Sequence, residues 1–87
     1  MKINFDEIAE IFRALSHPVR VKIITGLIEK DECNVSTMVE KLGLPQPAVS
    51  HHLNILKHAG IVAGIREGNQ ICYRVINETV KGIFKQL

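Results

Sequence analysis

The chain has 87 residues, a net charge of +2, no tryptophan, one tyrosine and three phenylalanines. That length fits one domain near the lower limit for a self-sufficient core, and the core must come from Ile, Leu and Val. The small charge excludes a histone-like coating of phosphates, and no apolar run approaches the roughly 20 residues that a membrane helix needs.

Asn4 can cap a first helix, with Glu7 three residues on completing a capping-box pattern. Phe5, Ile8, Phe12 and Leu15 recur at helical spacing and make one apolar face. The segment 1–15 also carries Asp6, Glu7, Glu10 and Arg13, so it is expected to be neither signal peptide nor membrane span. Ser16-His17-Pro18 breaks this helix, and Pro18 suits the first turn of a second one running to about Glu29. Its inward face is Val19, Ile23, Ile24 and Leu27, with Arg20 and Lys22 outside. Lys30-Asp31-Glu32 is a polar turn, and Cys33-Asn34-Val35 fits a very short strand. Asn34 or Ser36 can cap a third helix over roughly 35–42, which Gly43 stops.

A fourth helix is predicted from Pro47 to His58, ended by Ala59-Gly60. Two β-rich runs, 61–66 and 70–75, flank a Gly68-Asn69 turn and read as a hairpin. Asn77 can cap a last helix with Val80, Ile83, Phe84 and Leu87 on its apolar face. The chain is therefore expected to be mainly α with a small β-hairpin. It is a winged helix–turn–helix over 1–87, paired as a homodimer through its first and last helices.

At 100° per residue, Val49, Leu53 and Leu56 fall together on the fourth helix and must pack inward. Pro47, Ser50, His51, Asn54 and His58 fall on the opposite side. Ser, His and Asn donate and accept hydrogen bonds at base edges, and Gln46 can bond bidentately to adenine. In a helix–turn–helix such a face reads the DNA major groove. His52 lies on the shoulder of the buried face and is expected to pack and hydrogen-bond inside. Arg66, Asn69 and Gln70 on the hairpin, with Lys57 nearby, can contact phosphate or minor groove. The expected DNA-contacting set is therefore Gln46, Pro47, Ser50, His51, Asn54, Lys57, Arg66, Asn69 and Gln70, carried by helix 47–58 and wing 61–75. The dimer surface is expected from Phe5, Ile8, Phe12, Val80, Ile83, Phe84 and Leu87.

Ala14-Leu15-Ser16-His17-Pro18-Val19-Arg20 resembles the opening signature of the ArsR/SmtB-type repressors. Gln46-Pro47-Ala48-Val49-Ser50-His51-His52-Leu53 is similar to their recognition-helix motif. Leu56-Lys57-His58-Ala59-Gly60-Ile61-Val62, Arg66-Glu67-Gly68-Asn69-Gln70 and Tyr73-Arg74-Val75 resemble the end of that helix and the wing. The likeness covers nearly the whole chain in order. It implies a cytoplasmic, nucleoid-associated prokaryotic homodimer that binds an imperfectly palindromic double-stranded operator and represses transcription until an inducer acts. Neither residues nor resemblance name the inducer.

The sensing residues of such relatives do not carry over. The Cys-Val-Cys motif of the arsenic and heavy-metal type is matched by Asn34-Val35-Ser36. The early Asp and His of the zinc type are matched by Asn77 and Thr79, and the later pair would fall past Leu87. The persulfide type pairs cysteines of the second and last helices, and this chain has neither. No metal or cofactor is expected. Cys33 and Cys72 lack CxxC spacing and are expected to stay reduced. Strand alternation places Ile71, Tyr73 and Val75 toward the core and Cys72 on the other side, with Cys33 facing inward, which argues against a bond between them. Inert packing is the expectation, and a thiol- or redox-responsive repressor using Cys33, Cys72 or both is the alternative. A winged-helix module that binds protein is another. No Ser-His-Asp arrangement, phosphate-cradling glycine loop or paired carboxylates point to an enzyme.

Overall fold

The computed structural model describes residues 3–30 and 32–87. The elements are α1 (Phe5–Leu15), α2 (Pro18–Glu29), α3 (Val35–Leu42), α4 (Gln46–His58), β1 (Val62–Glu67), β2 (Gln70–Val75) and α5 (Glu78–Lys85). Side chains start four of the helices. Asn4 accepts from the Glu7 N–H, His17 Nδ1 from Val19, Asn34 from Thr37 and Asn77 from Val80, each satisfying a donor the helix leaves unpaired. The polar turn at 30–32 includes Asp31, which lies outside the described residues.

Glycines end two helices where the backbone turns left-handed. Gly43 closes α3 at φ 65°. At the end of α4, Gly60 has φ 75°, and the Gly60 N–H bonds to Lys57 O while the Ile61 N–H bonds to Leu56 O. This is a Schellman arrangement, completed by apolar contact between the two flanking positions, and both Leu56 and Ile61 are fully buried. Ile61 therefore belongs to the helix terminus, and β1 begins one residue later than predicted. Helix α4 starts at Gln46, one residue before the predicted Pro47.

The core joins Ile11 and Ala14 of α1, Ile23 and Ile24 of α2, and Met38 of α3. Val49, Leu53 and Leu56 of α4, Val62 of β1, Val75 of β2 and Val80 of α5 complete it with Ile61. On α1 the sealed residues are Ile11 and Ala14, whereas Phe5 is 80% and Phe12 54% exposed. The predicted apolar face of α1 is thus only its flank toward the core, through half-buried Ile8 and Leu15. Val80 is fully buried in its own subunit, so it supplies no surface for a partner copy, a correction to its expected place. Leu87, 83% exposed, does lie on the outside.

Strands β1 and β2 pair antiparallel from Val62↔Val75 to Glu67↔Gln70, across a two-residue turn opened by Gly68 at φ 63°. Directly paired residues share a face. One face carries Val62, Gly64, Arg66, Ile71, Tyr73 and Val75, and the other Ala63, Ile65, Glu67, Gln70, Cys72 and Arg74. A Cβ on Gly64 would lie 2.8 Å from Ile71 Cγ2, so the bare backbone there is what lets Ile71 and Tyr73 lie flat.

The expected strand at 33–35 is a single bridge, Asn34↔Cys72, with the Tyr73 N–H donating to Cys33 O at 2.8 Å. Two further expectations fail here. Cys33 and Cys72 form a disulfide, with Cα atoms 4.7 Å apart, a separation ordinary for such bonds. Ile71 is 41% exposed, whereas Cys72 is only 8% exposed. The alternation argument assumed one wet face on the wing. In fact Cys72 is buried where the segment before α3 meets the wing through Cys33, beside an open pocket lined by Leu27 and Ile28 of α2 and by Lys81 and Lys85 of α5.

Candidate nucleic-acid interface

Helices α3 and α4, joined through Gly43-Leu44-Pro45, form the helix–turn–helix. Val49, Leu53 and Leu56 fix α4 from behind at 0–1% exposure. That anchorage turns Gln46, Pro47, His51, Asn54, Lys57 and His58 outward, all exposed, with Ser50 half-buried at the edge of the stripe. His51, Asn54 and His58 border a groove shared with Glu10 and Arg13 of α1, while Gln46 lies beside Val35, Ser36 and Val39 of α3. His58 Nδ1 donates to the Asn54 carbonyl at 2.8 Å, which lays its ring along the helix.

Helix α4 differs from the other four at its start. Pro45 provides no side-chain cap and its carbonyl takes the Ala48 and Val49 N–H groups; as in α2 and α3, the first turn has no acidic residue. The positive end of the helix dipole therefore meets no carboxylate of its own first turn, an arrangement compatible with phosphate.

The wing divides the remaining candidates. Arg66, Asn69 and Gln70 are all exposed at its tip. Arg66 projects from the face that carries Tyr73 and Val75, whereas Gln70 projects from the opposite face with Glu67. The structure therefore does not bring these three to one side.

Sequence reasoning put Arg20 outside, and the structure corrects this. Arg20 is half-buried, its Nε donates to the Ala14 carbonyl and its NH1 lies 3.1 Å from His52 Nδ1. One guanidinium thus ties the end of α1 and the start of α2 to the middle of α4. Because arginine only donates, His52 Nδ1 accepts and the ring proton sits on Nε2. The His52 ring stacks obliquely on His17, 4.6 Å between centroids, with His51 5.6 Å away on its other side. The signal for this cluster was the run His17-Pro18-Val19-Arg20 itself: a histidine at a helix cap and an arginine one turn in.

Burial holds His52 below the usual imidazole range, helped by the positive charge of His17, Arg20 and His51. A native group that binds its proton more weakly than the unfolded chain does destabilises the fold only in acid. Stability from this site is complete above the ordinary value of 6.5 and is lost as the pH falls through it toward the lower native value. Urea midpoints should therefore fall between about pH 7 and pH 5, and His52→Gln should flatten that fall. Equal slopes in variant and parent would refute the assignment.

The fold and this outward stripe define a winged helix–turn–helix protein. The profile of the family described as "Bacterial regulatory protein, arsR family" matches residues 17–63. The chain belongs to that family, whose members are DNA-binding transcriptional regulators and not enzymes. It is 42% identical over 82 residues to an uncharacterised HTH-type transcriptional regulator of Methanocaldococcus jannaschii, covering 94% of this chain and 92% of that protein. It is 47% identical over 70 residues to the transcriptional repressor SmtB of Mycobacterium tuberculosis, covering 80% of this chain but only 51% of the repressor's length. Among solved structures it is similar to the homodimeric winged helix–turn–helix DNA-binding domain Mb0332 of Mycobacterium bovis. That likeness has a TM-score of 0.84 and 28% identity, and covers 94% of this chain and 75% of the other.

Proposed function

We propose that residues 1–87 form a sequence-specific repressor domain. It acts as a homodimer that places two copies of α4 in successive major grooves of an imperfect palindrome, about 34 Å apart. The observation that carries this reading is the split of α4 into a sealed stripe (Val49, Leu53, Leu56) and an exposed hydrogen-bonding one (Gln46, Pro47, Ser50, His51, Asn54, Lys57). Arg66, Asn69 and Gln70 of the wing flank the site, with Arg66 on phosphate or in the minor groove. Pairing rests on Phe5, Phe12 and Leu87, which one subunit leaves exposed, with Ile8, Ile83 and Phe84 at their margins. The M. bovis neighbour is a homodimer, which supports pairing of two copies. A repressor acts where its operator lies, which places it in the cytoplasm with the nucleoid; among the described residues no helix is long and apolar enough to cross a membrane.

A duplex selected from a random pool tests this. Affinity should fall steeply between low and moderate salt, and Arg66→Ala should weaken all sequences alike and reduce the salt slope by about 1. A salt-insensitive interaction would favour the protein-docking reading instead. Sedimentation should show a dimer at micromolar concentration, and Phe12→Asp should shift it toward monomer; a parent chain that sediments as monomer would rule out the paired arrangement.

A further inference from the structure

Cys33 and Cys72 are 39 residues apart, and the segment between them contains α3, the turn, α4 and β1. Their bond therefore closes a loop around the whole reading head. It joins the residue just before the α3 cap to the return strand of the wing. Beside the bond, the Asn34↔Cys72 bridge and the hydrogen bond from Tyr73 N–H to Cys33 O also tie the same two segments together. With the Cα atoms 4.7 Å apart, the sulfurs can re-form the bond without moving the backbone. Both cysteines border an open pocket, and Cys33, half-buried, is the more exposed residue of the two and the one taken to react first. A carboxylate oxygen of Glu67, on the same wing face as Cys72, lies within 4.8 Å of both sulfurs. A negative charge there repels a thiolate at either cysteine and leaves the neutral disulfide undisturbed.

We propose that Cys33 and Cys72 are a thiol–disulfide couple that exchanges with small-molecule disulfides and sets the DNA affinity of the reading head. The inference rests on the DNA-binding reading above. In the forward direction the Cys33 thiolate attacks one sulfur of RSSR. A Cys33–SR bond forms, the RS–SR bond breaks, and RS⁻ departs. The Cys72 thiolate then attacks the Cys33 sulfur, forming the protein disulfide and releasing a second RS⁻. The two protons of the cysteine thiols pass to the two leaving thiolates. Two protein thiols are thus oxidised while RSSR is reduced to two RSH. The closed loop presents α4 and the wing in one fixed relation, so the oxidised form binds DNA more tightly. Without the covalent link the wing keeps more motion relative to the helix pair, and binding must remove it.

The test equilibrates the full chain, without oxygen, in a series of reduced and oxidised glutathione mixtures. Thiols are counted by maleimide mass tagging, and anisotropy reads binding to a duplex selected from a random pool by protein in both states. Cys33 and Cys72 are expected to lose their thiols together in a single two-electron transition. Affinity should rise about tenfold along the same transition. Cys33→Ser and Cys72→Ser should hold affinity at the reduced level in every mixture, and Glu67→Gln should speed exchange severalfold. Affinity constant to within about twofold while the thiols interconvert would overturn the proposal, and the wild-type chain alone can give that answer. Thiols that stay reduced throughout, or a response that follows added Zn²⁺ instead of glutathione, would overturn it as well. Normal thiol titration with no duplex bound in either state would overturn the DNA-binding reading, and the switch's output with it.

Discussion

Replacing His51 by alanine should cost about 1–3 kcal/mol of binding to the cognate duplex and relax its sequence preference, with Ser50→Ala similar in size. The His51 side chain is exposed on α4 and faces away from Val49, Leu53 and Leu56. Its removal therefore takes hydrogen-bonding groups from the reading face and leaves the packing alone. The triple change Gln46→Ala, Ser50→Ala, His51→Ala should leave only sequence-independent, strongly salt-dependent binding through Lys57, Arg66 and the start of α4. Thermal unfolding run beside the binding assay separates this from misfolding, since the His51 single variant should melt with the parent. Undiminished affinity in the triple variant would remove α4 from the role of reader.

Reduction of the Cys33–Cys72 bond should have the larger effect on the fold itself. Closing a loop of 39 residues restricts the unfolded chain, and loop entropy of that size is worth about 4 kcal/mol. In a domain this small, that corresponds to about 20 °C in thermal midpoint at fixed protein concentration. The same loss should appear in the Cys33→Ser, Cys72→Ser double variant whether or not a reductant is present. A reduced chain that melts within a few degrees of the oxidised one would mean that the unfolded state gains little freedom from the cut. This measurement needs no DNA, so it reads the bond separately from its effect on binding.

The elements themselves were legible because their signals are local. Asn4, Asn34 and Asn77 cap helices through side chains that reach only three residues ahead, and Gly43, Gly60 and Gly68 mark left-handed turns that other residues resist. The outward stripe of α4 followed from helical spacing alone, since Val49, Leu53 and Leu56 leave only one side to face solvent. Val80 shows the limit of such patterns. Its spacing gives an apolar face of α5, but not whether the subunit's own core or a second copy covers that face.

The remaining misreadings have one source. Arg20 looks like a surface cation in a helical wheel, yet the Ala14 carbonyl and His52 lie where its guanidinium ends. Cys72 looks solvent-facing by strand parity, yet the segment before α3 brings Cys33 to it and buries it. Periodicity along 87 residues determined which helices form, where they stop and which side of α4 faces solvent. The partners of Arg20, His52, Val80 and Cys72 were decided only by assembly, because they lie on different elements far apart in the chain, and a one-dimensional pattern carries no record of which buried faces meet.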